Sequence, residues 1–397
     1  MALMPVYEAL SRVLAAGKTL GAELVKLDHV IGRVLTKDLK SKRDQPPFQS
    51  SAMDGYAVRH QDLNDPMMLI GVSAAGHAFK GVVKKGQAVR TLTGAPLPRG
   101  ADTIVIQENV SVDGKRIAVL EVPVIGRNIR PQALDFKKND VLIAAGTRIS
   151  ARDVGLMAAA NAALVSVRKR PRVVLFTTGD ELVLPGDHPR ADQIFSSNSQ
   201  ALAAMLSTWG AEVINLGIIR DDMRATIAAI KKALGADILV TTGGASVGDH
   251  DYVQEALKRS GVEIGFWKIA LRPGKPLMFG TKGKLSVLGL PGNPVSALVC
   301  ARIFLKPLIE KMLGNDPKDE TVLARVASPL PANDERQDYL RATIRFEQDG
   351  ARVAEVFSKQ DSAMQRNLRD ADCLILRAPY APAIEKGTLV SVLLLDF

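Results

Sequence analysis

The spacing of hydrophobic and polar positions changes several times along the chain. The opening segment MALMPVYEALSRVLAAG carries Glu8 and Arg12 among apolar residues and reads as an amphipathic helix. It has no basic stretch before its apolar part, so a signal peptide is not expected. Residues 36–145 are rich in Gly and Pro and contain short β-type runs, MMLIGVSA, QAVRTLTG, DTIVIQENVSV and RIAVLEVPV, separated by turn signals. Residues 146–167 predict a helix beginning near Asp153 and running through LMAAANAAL.

From residue 168 the pattern becomes strand–helix alternation. RVVLFTTGDEL, EVINLGII, ADILVTTGG and LSVLGLPG predict strands. SNSQALAAMLSTWG, DDMRATIAAIKKALG and a segment from about His250 to Arg259 predict helices, the first capped by Ser197 or Asn198. Near-continuous apolar strands between helices argue a mostly parallel sheet covered on both faces. A long helix follows the last strand, with Asn293 suited to its cap and Pro294 to its first position. Residues 316–397 return to β patterning, and EQDGA is a hairpin signal.

Composition narrows the class. With 47% hydrophobic and 24% charged residues over 397 positions, the chain is globular and long enough for several domains. Its net charge of +10 favours an anionic partner. The basic excess is spread over residues 36–145 and 168–315 rather than held in a tail. Aromatics, at 5%, do not interleave with it as on a nucleic-acid platform. A small phosphorylated ligand is favoured over nucleic acid, and a basic surface without a partner is the alternative. Cys300 and Cys373 are too few for a disulfide framework or a four-thiolate zinc site, so a reduced, cytoplasmic protein is expected. No apolar run is long enough to predict a membrane span. The histidines show no ligand-like spacing, and no serine nucleophile elbow is expected.

Three predicted strand ends are polar and Gly-rich: Thr177-Thr178-Gly179-Asp180-Glu181, Thr241-Thr242-Gly243-Gly244-Ala245-Ser246-Val247-Gly248-Asp249, and Leu290-Pro291-Gly292-Asn293-Pro294. In an open α/β sheet ligands sit beyond the carboxyl ends of the strands, and glycines let backbone N–H groups approach an anion. Each loop alone could be an ordinary turn; three in one sheet point to a phosphate-bearing ligand. Asp180, Glu181, Asp221, Asp249 and Asp251 lie at or just after these ends. Beside phosphate they suggest magnesium, which takes one or two carboxylates plus phosphate oxygens; helix caps are the other reading, strongest for Asp221 and Asp222. Lys268, Arg272 and Lys275 flank a Pro-Gly turn that would hold their charges near one point, an oxyanion site or a solvated charge run. Met53-Asp54-Gly55 is a turn with a carboxylate at its tip.

PPFQSSAMDGYAV, TGAPLPRGADTIVIQE, FTTGDEL, FSSNS, TTGGASVGDHDYV, WKIALRPGKPLMFG and LGLPGNPVSA, in this order, resemble the molybdopterin molybdenumtransferase family, the MoeA-type molybdenum insertases that include the E domain of gephyrin. The resemblance runs from about residue 5 onward and is weakest after residue 316. It implies a four-domain homodimer: residues 1–19 with 169–315 as a three-layer α/β domain, 20–39 with 140–168 as a helical and β linker domain, 40–139 as a β-rich distal domain, and 316–397 as a C-terminal β-barrel. The implied reaction takes molybdate and adenylylated molybdopterin, cleaves the phosphoanhydride with Mg2+ and yields molybdenum cofactor and AMP. The molybdopterin adenylyltransferase and cofactor-accepting apo-enzymes are implied as partners; nucleic acid and membranes are not.

Carried onto this chain, the resemblance implies catalytic roles for Asp54, Asp135, Glu181, Asp221 and Asp251, and magnesium at Asp180 and Glu181. Substrate contacts are implied at Thr93, Arg130, Thr178, Gly179, Gly243, Gly244, Ser246, Lys268, Arg272, Lys275, Pro291, Gly292, Asn293, Pro294, Ser296 and Arg341. Asp54 is implied to complete the site of the partner subunit. The chain departs from the family at Gln49-Ser50, where Asp-Asn is usual, and at Ala133-Leu134, where Gly-Glu is frequent. It departs again at Arg272, where Lys is common, and at Ser362–Arg369, which replaces a Gly/Ser-rich turn. A molybdopterin-binding or scaffold paralogue of reduced activity is therefore the alternative to the insertase.

Overall fold

The computed structural model describes residues 3–243, 252–318 and 320–397. The chain forms two compact units, Met1–Glu23 with Arg168–Phe397, and Leu24–Val167.

The larger unit begins with the helix Val6–Ala16, which buries Val6, Ala9 and Val13. Its central sheet has six strands in the order Glu212–Ile219, Arg172–Thr178, Ile238–Thr242, Leu285–Leu290, Met278–Lys282 and Glu263–Trp267. The first four run parallel, and the last two, which the hydrophobic pattern did not predict, add antiparallel at one edge. In Arg172–Thr178, Val173, Val174, Leu175 and Phe176 are all buried although successive side chains face opposite ways. Both faces are therefore covered, as the continuous apolar strands require. Helices Met223–Lys232 and Tyr252–Arg259 cover one face, packing Ile230, Val253 and Leu257 on Val174, Phe176 and Leu239. Asp222 caps the first of these, its carboxylate accepting from Ala225 N at 2.8 Å. Helix Asn198–Thr208 packs against Pro294–Cys300, whose path continues through a π-helical stretch, Ala301–Leu305, into Lys306–Met312.

The C-terminal part of this unit is a closed five-strand barrel of Thr321–Val326, Gln337–Phe346, Arg352–Val356, Cys373–Arg377 and Leu389–Leu394. The hairpin predicted at EQDGA joins the second and third of these. Its turn closes with Glu347 N donating to Ala351 O and Gly350 N to Glu347 O. Ala324, Ala342, Ile375 and Val392 fill the barrel's own core. Buried Arg302 and Lys306 of the long helix pair with Glu320 and Asp396, binding the barrel to the α/β sheet. Both cysteines are buried free thiols, and burial pushes Cys373 up to about 12.

The smaller unit holds two hydrophobic cores. Val30, Leu35, Ile143, Met157 and Val165 form one. Tyr56, Val58, Met67, Val105 and Ile117 form the other, under a six-strand sheet that includes Gly55–Val58, Met67–Ser73, Gln87–Thr91 and Thr103–Ile106. The helix expected from Asp153 through Leu164 instead spans Ala151–Ala159, and Leu164 opens a strand, Leu164–Arg168. The shift has a local cause. Ser150 is the cap, with its N–H and hydroxyl both donating to Asp153 at 2.7 and 2.6 Å, so Asp153 sits inside the first turn.

Among the described residues no helix is long and apolar enough to cross a membrane.

Candidate active site

The three Gly-rich strand ends belong to neighbouring parallel strands, Arg172–Thr178, Ile238–Thr242 and Leu285–Leu290, so their loops lie side by side on one sheet edge. Side chains bind the edge together. Thr177 Oγ1 donates to Thr242 O at 3.0 Å, and Thr242 Oγ1 donates to Pro291 O at 3.1 Å. Asn198 Nδ2 reaches Thr242 Oγ1 and Gly292 O. Gly243 has φ +84°, and a Cβ there would stand 2.4 Å from Thr178 O, so only glycine lets the first two loops come this close. Gly244, Ser246, Asp249 and Asp251 lie outside the described residues. So does the segment Gly244-Ala245-Ser246-Val247-Gly248, which has the spacing of a nucleophile elbow and corrects the expectation that the sequence carries none.

The carboxylates of the first loop are exposed. Asp180 and Asp221 hook their loops together: Asp180 N donates to Asp221 Oδ2 and Asp221 N to Asp180 Oδ1, both at 3.3 Å. The Glu181 carboxylate folds back over Gly179, where an added Cβ would lie 2.7 Å from both its oxygens. Among the described residues no group of three or more His, Cys, Asp or Glu could hold a metal. Magnesium does not require such a cage. Exposed carboxylate oxygens of Asp180 and Glu181 beside a phosphate-type loop are a donor set that fits it.

Of the basic residues expected to act together around Pro273-Gly274, Lys268 and Arg272 have different neighbours. Lys268, at φ +70°, places its ammonium 4.3 Å from the centre of the Trp267 ring. Arg272 turns toward the barrel. Its guanidinium donates to Asp338 Oδ1 at 2.7 Å, Asp334 Oδ2 at 2.9 Å and Asn333 Oδ1 at 3.0 Å, and pairs again with Asp338 Oδ2. Most of its donors are thus committed within the protein. Burial pushes the Asp338 carboxyl up while its bonds to Arg272 pull it down, and those same bonds raise Arg272. Lys275 N–H and C=O groups belong to the same loop, its carbonyl accepting from Ile269 N at 3.0 Å.

Arg341 is almost wholly buried and fixes the segment after the barrel hairpin. Its N and Nε donate to Gln360 Oε1, and Nη1 donates to Asp361 O at 2.8 Å. That segment meets the third loop: Asn293 Nδ2 donates to Ser362 Oγ at 2.8 Å and Val295 N to Ser362 O at 3.0 Å. Gln365 Nε2 donates to Ser197 Oγ at 2.8 Å. The stretch in which the sequence departs from the family therefore abuts the first turns of two helices at the sheet edge. Pro294 begins one of these, and Ser296 is buried within it.

In the smaller unit, Asp54 is exposed on a turn and its carboxylate is held. Thr93 donates from N at 2.7 Å and from Oγ1 at 2.8 Å, which keeps the Asp54 carboxyl below the usual carboxylate value. Gly55 follows because the next strand runs against Val105, whose carbonyl oxygen would be 2.1 Å from a Cβ. Arg130 and Asp135 line a cavity of about 510 Å³ together with Arg43, Phe48, Ser50 and Leu134. Arg43 was not singled out from the sequence; its place among Lys and Arg in KSKRD gave no signal. Ala133, two residues before Asp135, has φ +59°, a left-handed conformation that suits glycine better.

These features define a multidomain α/β and β-barrel protein with its polar loops on one sheet edge. A solved structure of the molybdopterin biosynthesis MoeA protein of Pyrococcus horikosii shares that architecture, with TM-score 0.85 and 29% identity over the full length of both chains. Residues 4–161 match the family described as MoeA N-terminal region (domain I and II), residues 174–311 a probable molybdopterin binding domain, and residues 323–395 the MoeA C-terminal region (domain IV). A molybdopterin molybdenumtransferase of Nostoc sp. is 38% identical, over 82% of this chain and 77% of the relative. One of Bacillus subtilis is 31% identical, over 99% and 94%. The chain belongs to the molybdopterin molybdenumtransferase family and is a transferase.

Proposed function

We propose that this protein transfers molybdenum from molybdate to adenylylated molybdopterin and releases AMP, the last construction step of the molybdenum cofactor. The observation that carries this reading is the convergence of three Gly-rich strand ends with exposed Asp180 and Glu181 on one edge of a basic α/β domain. Closely packed glycine backbone suits phosphate oxygens, and both carboxylates suit the cation that accompanies them. Asp180 and Glu181 would hold Mg2+, which supplies charge neutralisation on the phosphoanhydride when bound. The chain's own residues do the rest. Thr178, Gly179, Gly243 and Gly292 shape the ligand's bed, and the Asp180–Asp221 hook fixes the approach of the first loop. Lys268 contributes positive charge for molybdate, with Lys275, Asn293, Ser296 and Arg341 behind it; Arg272 serves the junction with the barrel.

The working unit in this proposal is a cytoplasmic homodimer with four domains per chain, in which Asp54, Thr93, Arg130 and Asp135 act in the partner's reaction. Molybdate-dependent release of AMP from adenylylated molybdopterin by the purified protein tests the reading. No release, with molybdopterin bound, would replace it by a binding or scaffold role.

A further inference from the structure

Asn198 presents a buried acceptor that the described residues leave unused. Its side-chain nitrogen is fixed by two neighbours, Thr242 Oγ1 at 3.1 Å and Gly292 O at 2.6 Å. The orientation of the amide follows from their chemistry. The Thr242 hydroxyl hydrogen is directed to Pro291 O, so toward Asn198 its oxygen can only accept. Gly292 O is a carbonyl and can only accept. Both amide hydrogens of Asn198 are therefore committed, and Oδ1 must face away from these groups. Among the described residues that oxygen has no hydrogen-bond partner, and it is buried in a residue only 8% exposed. Such a group costs stability unless something supplies a donor.

A second oxygen in the same condition lies on the same edge. Thr178 Oγ1 is buried with no partner among the described residues, and it sits 3.2 Å from where a Gly243 Cβ would be. Gly243 Cα is in turn 3.7 Å from the Cβ position of Gly292, whose carbonyl holds Asn198. Helix capping does not account for Asn198, because the cap position belongs to Ser197.

We propose that Asn198 Oδ1 is a ligand-binding group that accepts a hydrogen bond from an N–H of the ligand's heterocyclic ring, with the Thr178 hydroxyl beside it. The chemistry selects one end of the ligand. An acceptor-only oxygen has no hydrogen to give a phosphate or molybdate oxygen, whereas a pterin carries ring N–H and amino donors. The proposal rests on the reading that this edge takes molybdopterin, and it adds which part of that molecule is read here.

The test is anaerobic titration of the full-length protein with molybdopterin, beside thermal denaturation of each variant without ligand. Asn198→Ala removes the acceptor and the tie between the loops. Thr242→Val weakens the same tie and keeps Oδ1. The expected result is a similar fall in melting temperature for both. Molybdopterin affinity should drop about tenfold or more for Asn198→Ala and less than about threefold for Thr242→Val. Asn198→Ser, which also lacks the amide oxygen, takes the place of Asn198→Ala if that variant does not fold. Equal weakening by both variants, or unchanged affinity without the amide, would overturn the proposal and leave Asn198 a structural tie. Failure of the wild-type protein to bind molybdopterin would instead overturn the functional reading, and this inference with it.

Discussion

The sheet edge of the α/β domain and the Asp54 turn of the smaller unit use acidic residues in opposite ways. At the edge, Asp180 and Asp221 hook two loops together through backbone N–H groups at 3.3 Å, and their loops gain shape from glycines and threonines beneath. At the turn, one carboxylate is gripped by two short bonds from a single threonine. In the proposed reaction the edge offers the exposed carboxylates of Asp180 and Glu181 to the cation that accompanies the ligand. The turn is built to hold one charge still. Position, rather than residue type, separates a group that binds from a group that presents.

The largest effect that would break this contrast is at the edge. Glu181→Ala should lower molybdate-dependent AMP release on the order of 100-fold or more, while molybdopterin binding stays measurable. Unchanged turnover would remove Glu181 from the reaction. Asp54→Asn should also inactivate the homodimer. Co-expressed with Glu181→Ala, random pairing places half the molecules in mixed dimers, each with one intact site if the two residues act from different protomers. Activity should then recover to about a quarter of wild type. No recovery would place both residues in one protomer's reaction.

Arg272 sharpens the edge side of the comparison. Its partners make it a structural clamp, so Arg272→Ala should cost about 2 kcal/mol of stability, read as a lower denaturation midpoint. The molybdate concentration for half-maximal turnover should stay within about twofold of wild type. A large rise in that concentration, with stability intact, would return Arg272 to the oxyanion.

Two smaller effects probe the turn. Thr93→Val removes the hydroxyl donor, so the Asp54 carboxyl should titrate closer to its ordinary value, as followed by carboxyl NMR. The sign is fixed by its depressed value in the folded protein. Its contribution to stability is present above the unfolded value of about 3.9 and is lost as pH falls through the folded one. The stability gap between wild type and variant should therefore narrow at acid pH; a gap that widens there would contradict the grip. Ala133→Gly should raise stability by about 0.5 kcal/mol, because glycine adopts the left-handed conformation without a Cβ clash. A lower melting temperature would show that Ala133 packs in a way its backbone does not reveal.

Much of this was readable in the chain. Three parallel strands, Arg172–Thr178, Ile238–Thr242 and Leu285–Leu290, announced themselves as continuous apolar runs because both sheet faces are covered there, and EQDGA marked the barrel hairpin because its turn needs the left-handed Gly350. The two antiparallel edge strands did not. Glu263–Trp267 has only one buried residue, Phe266, and so leaves little apolar signal. At the site, the Gly-rich loops were visible as loops, while Asn198 passed for a helix cap and Ser362 for a mere departure.

Sequence alone determined the order of α and β segments, the glycine and proline punctuation of the loops, and the motifs that carry the family. These depend on local backbone preference and on the period of buried positions, both written in neighbouring residues. Tertiary structure decided which charges are spent and which remain. Arg272 lies three residues before Lys275 in sequence, yet its partners are Asp334 and Asp338, over sixty positions away. Asn198, Thr242 and Gly292 meet only because the first turn of helix Asn198–Thr208 lies against the ends of two neighbouring strands. A hydrogen bond depends on distance in space, and the chain's linear order does not record it.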